Sequence, residues 1–254
     1  MKNRKIVLIG GPCGGKTGSI KFLSKELSSQ GYSVNIVGET ATSLLKLGYM
    51  PNSNISTFDF QNLLFKIQFL NEYLSENMSG ILLCDRGIFD GKVYINDDAF
   101  QKILGLNMVK ENEIFSTYDG ALYFRSISHE YPEEFSKQRI YESPEIGKAR
   151  DEHCKSIWTE KIIPCYYDNL DDFRNKQKII LAALKKQLEI LKQADSYNLS
   201  DFYDSEHLKY IYNGINDILI KNNVPKDITA KTLRLIRWKH YCILKSMNQT
   251  YLIN

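Results

Sequence analysis

The stretch IGGPCGGKTG, residues 9–18, crowds glycines around one lysine directly behind the apolar run KIVL. It fits G-x-x-x-x-G-K-[ST], with Gly10 and Gly15 as the fixed glycines and Lys16 and Thr17 closing the pattern. A turn so free of side chains lets backbone N–H groups approach an anion. The positive end of a following helix adds to that field. The chemistry is therefore phosphate binding. Gly10, Gly11, Pro12, Cys13, Gly14, Gly15, Lys16, Thr17 and Gly18 would cradle a nucleotide. Lys16 would reach the outer phosphates, and the Thr17 hydroxyl would hold Mg²⁺.

A second group of candidates follows later apolar runs. LLCDRG ends its run in Asp85, which suits a second Mg²⁺ contact, direct or through water. The plainer alternative is that Asp85 and Arg86 pair with each other and cap a strand end. ATPases that polarise water commonly carry an acidic residue right after this aspartate, and Arg86 cannot act as that base. A guanidinium suits a phosphate or substrate oxygen instead. This moves the expectation from motor-type hydrolysis, and from a ring-forming machine, toward phosphoryl transfer. Glu39, in VGETAT, suits accepting a proton from an attacking hydroxyl or orienting Mg²⁺. It equally suits the N-terminus of a helix beginning near Thr40.

Residues 126–160 lie where nucleotide kinases place a lid. Arg139, Lys148 and Arg150 are its candidate cations for a γ-phosphate, set against a solvated mixed-charge helix. DEHC, residues 151–154, reads as helix surface, and His129 and His153 show no metal-ligand spacing, so Mg²⁺ is the only metal expected. NKQK at 175–178 lacks the aspartate of the guanine-selecting N-K-x-D stretch and sits inside a helical pattern. ATP is thus the default donor, with GTP left open.

These groups need one edge to share. KIVLIG, YSVNIVGE, GILLCDRG, GALYFRS and IIPCYYDN read as five strands, the third of the uniformly apolar kind buried on both faces of a parallel sheet. Helical patterns alternate with them, including a capping box at Ser56 and Asp59. The expectation is an α/β three-layer sandwich on a five-stranded parallel sheet, with ligands beyond the carboxyl ends of the strands. The Gly-rich loop, Glu39, Asp85 and Asn169 all fall there. A polar stretch at 193–207 marks the expected boundary between a nucleotide-binding domain, 1–193, and a helical C-terminal extension, 194–254.

The 254 residues, 43% hydrophobic and 25% charged, suffice for a sizeable core. No apolar run reaches the ~20 residues of a membrane span. No secretory signal fits ahead of the first strand, so the expected compartment is the cytoplasm. Five cysteines, an odd number with no C-x-x-C pair, argue against a disulfide framework and a zinc site. The net charge of +3 is uneven: Lys226, Lys231, Arg234, Arg237, Lys239 and Lys245 face only Asp227 in the tail. Contact of 226–254 with nucleic acid or anionic lipid is one reading. An ordinary amphipathic helix, with Leu233, Ile236, Ile243 and Met247 inward, is the favoured one.

GGPCGGKT, GE after the second strand, CDRGIFDGKVYI after the third, and YYDNLDDFRNKQK near the fifth resemble one group of P-loop proteins. It is the AAA-domain ATPase/kinase group close to the NadR-like nicotinamide riboside kinases and, further off, the deoxynucleoside kinases. The likeness covers residues 4–193, with D-R-G-x-x-D (Asp85, Arg86, Gly87, Asp90) its most telling element. The resemblance implies a kinase fold, with the acid after strand two, Glu39, as base or substrate contact. Gly18 stands where a second hydroxyl residue is usual, and Cys13 where glycine is common. The function expected is Mg²⁺-dependent transfer of the ATP γ-phosphate to a hydroxyl of a small, nucleoside-like molecule. Lys16, Glu39, Asp85 and Arg86 would be its catalytic groups. The alternative is a nucleotide-dependent switch or NTPase whose basic tail contacts a partner or membrane surface.

Overall fold

The computed structural model describes residues 3–11, 14–76, 80–125, 144–165 and 172–196. Four strands, β1 Arg4–Ile9, β2 Val34–Val37, β3 Ile81–Asp85 and β4 Gly120–Tyr123, form one sheet in the order β2-β3-β1-β4. Every pairing is parallel. Alternation along β1 explains the layers, because successive side chains point to opposite faces. Ile6 and Leu8 meet α1 (Lys16–Ser28) and α7 (Phe173–Ser196) through Ile20, Leu23, Leu27, Ile180, Leu184 and Leu188. Val7 and Ile9 pack on the other face with Phe65, Phe89, Phe100, Tyr118 and Trp158. Both faces are covered, so the central strands read as unbroken apolar runs.

On that second face lie α2 (Thr40–Lys46), α3 (Thr57–Glu76), a 3-10 turn at Ile88–Val93, α4 (Asp97–Leu106), α5 (Glu111–Thr117) and α6 (Pro144–Ile157). The Ser56 hydroxyl accepts from Asp59 N–H at 3.0 Å and donates to the Asp59 carboxylate at 2.6 Å, starting α3.

Among the described residues the sheet has four strands rather than the five expected. The stretch from Ile162 gives a single parallel bridge to Ala121, with Ile163 N–H on the Ala121 carbonyl at 2.8 Å. Pro164 follows, a ring that fixes φ at about −65° and carries no N–H for a ladder. Residues 166–171, including Asn169, lie outside the described part, as do Pro12, Cys13, Arg139 and the tail from 197. Contacts divide the chain into two compact units, Met1–Leu188 and Glu189–Asn254. Helix α7 runs to Ser196. No helix among the described residues is long and apolar enough to cross a membrane.

Candidate active site

The strand order puts the carboxyl ends of β2, β3 and β1 side by side, and the chemistry-bearing residues stand on those ends. At Gly10 the backbone takes φ 119°, and a Cβ would lie 2.0 Å from the Phe124 carbonyl oxygen. Only glycine fits a left-handed turn pressed against a neighbouring main chain. Helix α1 then starts at Lys16 with Gly15 as N-cap and no side chain on its first amides. That leaves the N-terminal field of the helix directed into the loop.

Lys16 is buried, and its ammonium donates to the Gly10 carbonyl at 2.9 Å and the Gly11 carbonyl at 2.6 Å. An ammonium has three donors, so two staple the loop across its mouth. Burial, followed by the nearby Arg86 charge, lowers the Lys16 pKa from 10.5 to about 7. Asp85, 2% exposed, accepts from the Thr17 hydroxyl at 2.9 Å through Oδ2. Its Oδ1 is buried with no hydrogen-bond partner among the described residues. Burial, then Glu39, raises the Asp85 pKa above its ordinary value. A hydroxyl oxygen and a carboxylate with an orphaned buried oxygen form the hard donor set that Mg²⁺ takes. The site therefore fits that ion, which Thr17 and Asp85 would hold.

Asp85 and Arg86 do not cap the strand as a pair. Arg86 turns toward Glu39, with Nε 3.5 Å from Oε1, and toward Asp90, with Nη1 3.5 Å from Oδ2. The same Nη1 donates to the Gly10 carbonyl at 2.7 Å. Burial would lower the Arg86 pKa, but Asp90, Tyr94 and Glu39 hold it above the ordinary guanidinium value. Glu39 stands where α2 begins, without a side-chain capping bond of its own. Its Oε2 accepts from the Thr42 hydroxyl at 2.6 Å, and it faces Arg86 across the strand ends. Gln68 of α3 joins these parts, donating to the Arg86 carbonyl at 3.2 Å and accepting from the Thr40 hydroxyl.

The candidate lid cations separate. Lys148 is exposed, while the Arg150 guanidinium lies 4.7 Å from the centre of the Tyr94 ring. DEHC is not simply helix surface. Glu152 and His153 are exposed, but Asp151 and Cys154 are buried. Asp151 accepts from Gly11 N–H through Oδ1 and from the Tyr123 hydroxyl at 2.6 Å through Oδ2. Burial, with the Asp90 charge, pushes the Cys154 thiol up to about 12. The Phe173 ring lies against Gly15 and Gly18, and the Lys176 ammonium donates to the Gly14 carbonyl at 3.3 Å. Sequence reasoning missed Asp151, Tyr123, Phe173 and Lys176. One available signal was the spacing of Asp151, Cys154 and Trp158, which puts all three on one helical face.

A protein-family model described as AAA domain matches residues 5–206. The chain belongs to this family. Among solved structures, this AAA domain is similar to NadR in complex with NAD and AMP-PNP at 14% identity and a TM-score of 0.52. That alignment covers 73% of the chain and 49% of NadR. NadR in complex with NR gives 14% identity and a TM-score of 0.54, covering 73% of the chain and 52% of NadR. A thymidylate kinase from Ehrlichia chaffeensis gives 14% identity and 0.49, covering 72% and 100%. The chain thus spans about half the length of NadR and shares its α/β P-loop kinase-like fold on a parallel sheet. No curated protein matches the sequence.

Proposed function

We propose that this AAA domain is a phosphotransferase that moves the γ-phosphate of an ATP-type donor to a hydroxyl of a small, nucleoside-like acceptor, with Mg²⁺ as the metal. The observation that carries the reading is the arginine after Asp85, held between Glu39 and the loop carbonyl of Gly10. ATPases that polarise water commonly carry an acidic residue there. Here a permanent cation faces the phosphate loop, and a carboxylate stands beside it on the neighbouring strand end. Mg²⁺ on Thr17 and Asp85 would neutralise donor oxygens. Lys16 and the loop amides hold the phosphates. Glu39 takes the proton of the acceptor hydroxyl as its oxygen bonds to the γ-phosphorus and the bond to the leaving diphosphate breaks. Arg86 meets charge spread over the transferring group. The NadR complexes put an adenine nucleotide and NR at the head of the panel to be tried.

The test incubates the full chain with Mg²⁺, ATP labelled at the γ-phosphate, and a panel of NR and nucleosides. Label on an acceptor, lost in Lys16→Ala and in Glu39→Gln, is the expected result. Label appearing only as free phosphate across the panel would overturn transfer and leave an NTPase or switch.

A further inference from the structure

Arg86 is a long side chain whose backbone sits at φ 82°, in the left-handed region. That conformation is strained for a residue with a long side chain and persists only where the surroundings over-determine it. At Arg86 they do. Its N–H donates to the Leu8 carbonyl at 3.2 Å, and its own carbonyl accepts from Gln68. The guanidinium is held at its tip by Asp90, a carboxylate only 6% exposed. Asp90 is in turn fixed from behind, because its Oδ1 accepts from the Trp158 indole N–H at 2.8 Å. Trp158 is fully buried, edge-on to Phe89 at 5.7 Å and Tyr118 at 4.8 Å. A Cβ at Gly87 would come within 2.5 Å of its ring. Neither the ring nor the carboxylate has room to turn.

We infer that Asp90 is the positioning residue of Arg86, and that Trp158, the residue after α6, locks the Asp90 carboxylate so that Nη1 of Arg86 stays on the phosphate loop. This explains D-R-G-x-x-D as one device: Arg86 supplies the cation, Gly87 admits the indole, and Asp90 joins the two. It also gives α6 a purpose beyond any lid cation, since the seating of this helix sets the direction of the arginine. The inference rests on the phosphotransferase reading for its kinetic consequence. Its geometric content is independent of that reading.

The test uses the full chain carrying Trp238→Phe, which leaves Trp158 as the sole tryptophan. In this background Asp90→Asn, Trp158→Phe, Arg86→Gln and the double variant Asp90→Asn/Arg86→Gln are compared. Asp90→Asn lowers kcat by about tenfold or more with the KM for ATP within about twofold, as misdirection of a charge-stabilising group requires. The double variant is no slower than Arg86→Gln alone, because the two residues act as a unit. Trp158→Phe removes the indole donor, with some loss of ring volume, and shows the same kcat-only loss, which covers the case in which Asp90→Asn fails to fold. Without any turnover being needed, the indole N–H resonance of Trp158 moves in Arg86→Gln, because both side chains bond to the Asp90 carboxylate. Losses that multiply in full, or an indole resonance indifferent to Arg86→Gln, would overturn the inference. Absence of turnover in the parent chain with the resonance still coupled would instead overturn the phosphotransferase reading.

Discussion

A lysine enclosed as Lys16 is, with a guanidinium nearby, gives up part of its charge in the ligand-free fold, and its pKa of about 7 records that. In the unfolded chain the value returns to 10.5. Between these two values the unfolded state binds more protons than the folded one. This group therefore makes the ligand-free protein more stable as pH rises through that window. A polyphosphate reverses the balance, since its negative charge favours the ammonium. Nucleotide binding at pH 8 should then draw a proton into the protein. Calorimetry in two buffers of different ionisation enthalpy reads this as a difference in apparent heat. Equal heats in both buffers would show that Lys16 is already charged before the nucleotide arrives. That Lys16, Thr17 and Asp85 come together was legible in the sequence, because glycine spacing sets the turn ahead of α1 and Asp85 ends a buried strand beside it. The partners of Arg86 were not. Pairing with its sequence neighbour Asp85 was the alternative that the sequence offered, whereas the positive φ at Arg86 goes with a side chain directed to Glu39 and Asp90.

At the scale of elements, helix α6 does what its composition hid. Its charged residues suggested a solvated surface, yet Asp151 reaches Gly11 N–H in the phosphate loop and the hydroxyl of Tyr123 on β4. No local pattern announces a carboxylate that bonds to an amide so far away in sequence. A helical face of Asp151, Cys154 and Trp158 is visible only once the helix is assumed to pack. Replacing Asp151 by alanine removes the acceptor from a buried N–H, which costs about 1–3 kcal/mol. Urea denaturation should show a loss of that size, with asparagine recovering most of it through its side-chain oxygen. Nucleotide affinity should fall alongside, because the first turn of the loop loses its outside support. An alanine variant as stable as the parent would mean that the contact contributes nothing net. The fifth expected strand differs. IIPCYYDN has the apolar content of a strand, and its described part, as far as Cys165, pairs with β4 by a single bridge at Ile162. Apolar composition speaks for burial, and it does not by itself specify a ladder partner.

For the whole molecule, every side chain assembled at the sheet edge belongs to the unit Met1–Leu188, and the family match ends at residue 206. The six cations from Lys226 to Lys245 lie beyond both limits in sequence. Their spacing alongside Leu233, Ile236, Ile243 and Met247 is what an amphipathic helix needs for its own packing, so nothing in the pattern asks for coupling to nucleotide. A switch asks for it, because a ligand moves a remote segment only if it binds the two states of that segment with different affinity. Hydrogen exchange on the full chain separates these cases. Adding Mg²⁺ and ATP should slow exchange across the phosphate loop and along α6, whose Asp151 and neighbouring Trp158 are tied to that loop directly and through Asp90 and Arg86. Exchange across 226–254 should stay the same with and without nucleotide. Protection of the tail that rises or falls on nucleotide addition would put phosphoryl transfer second to a signalling role, with the basic stretch as the part that reports occupancy.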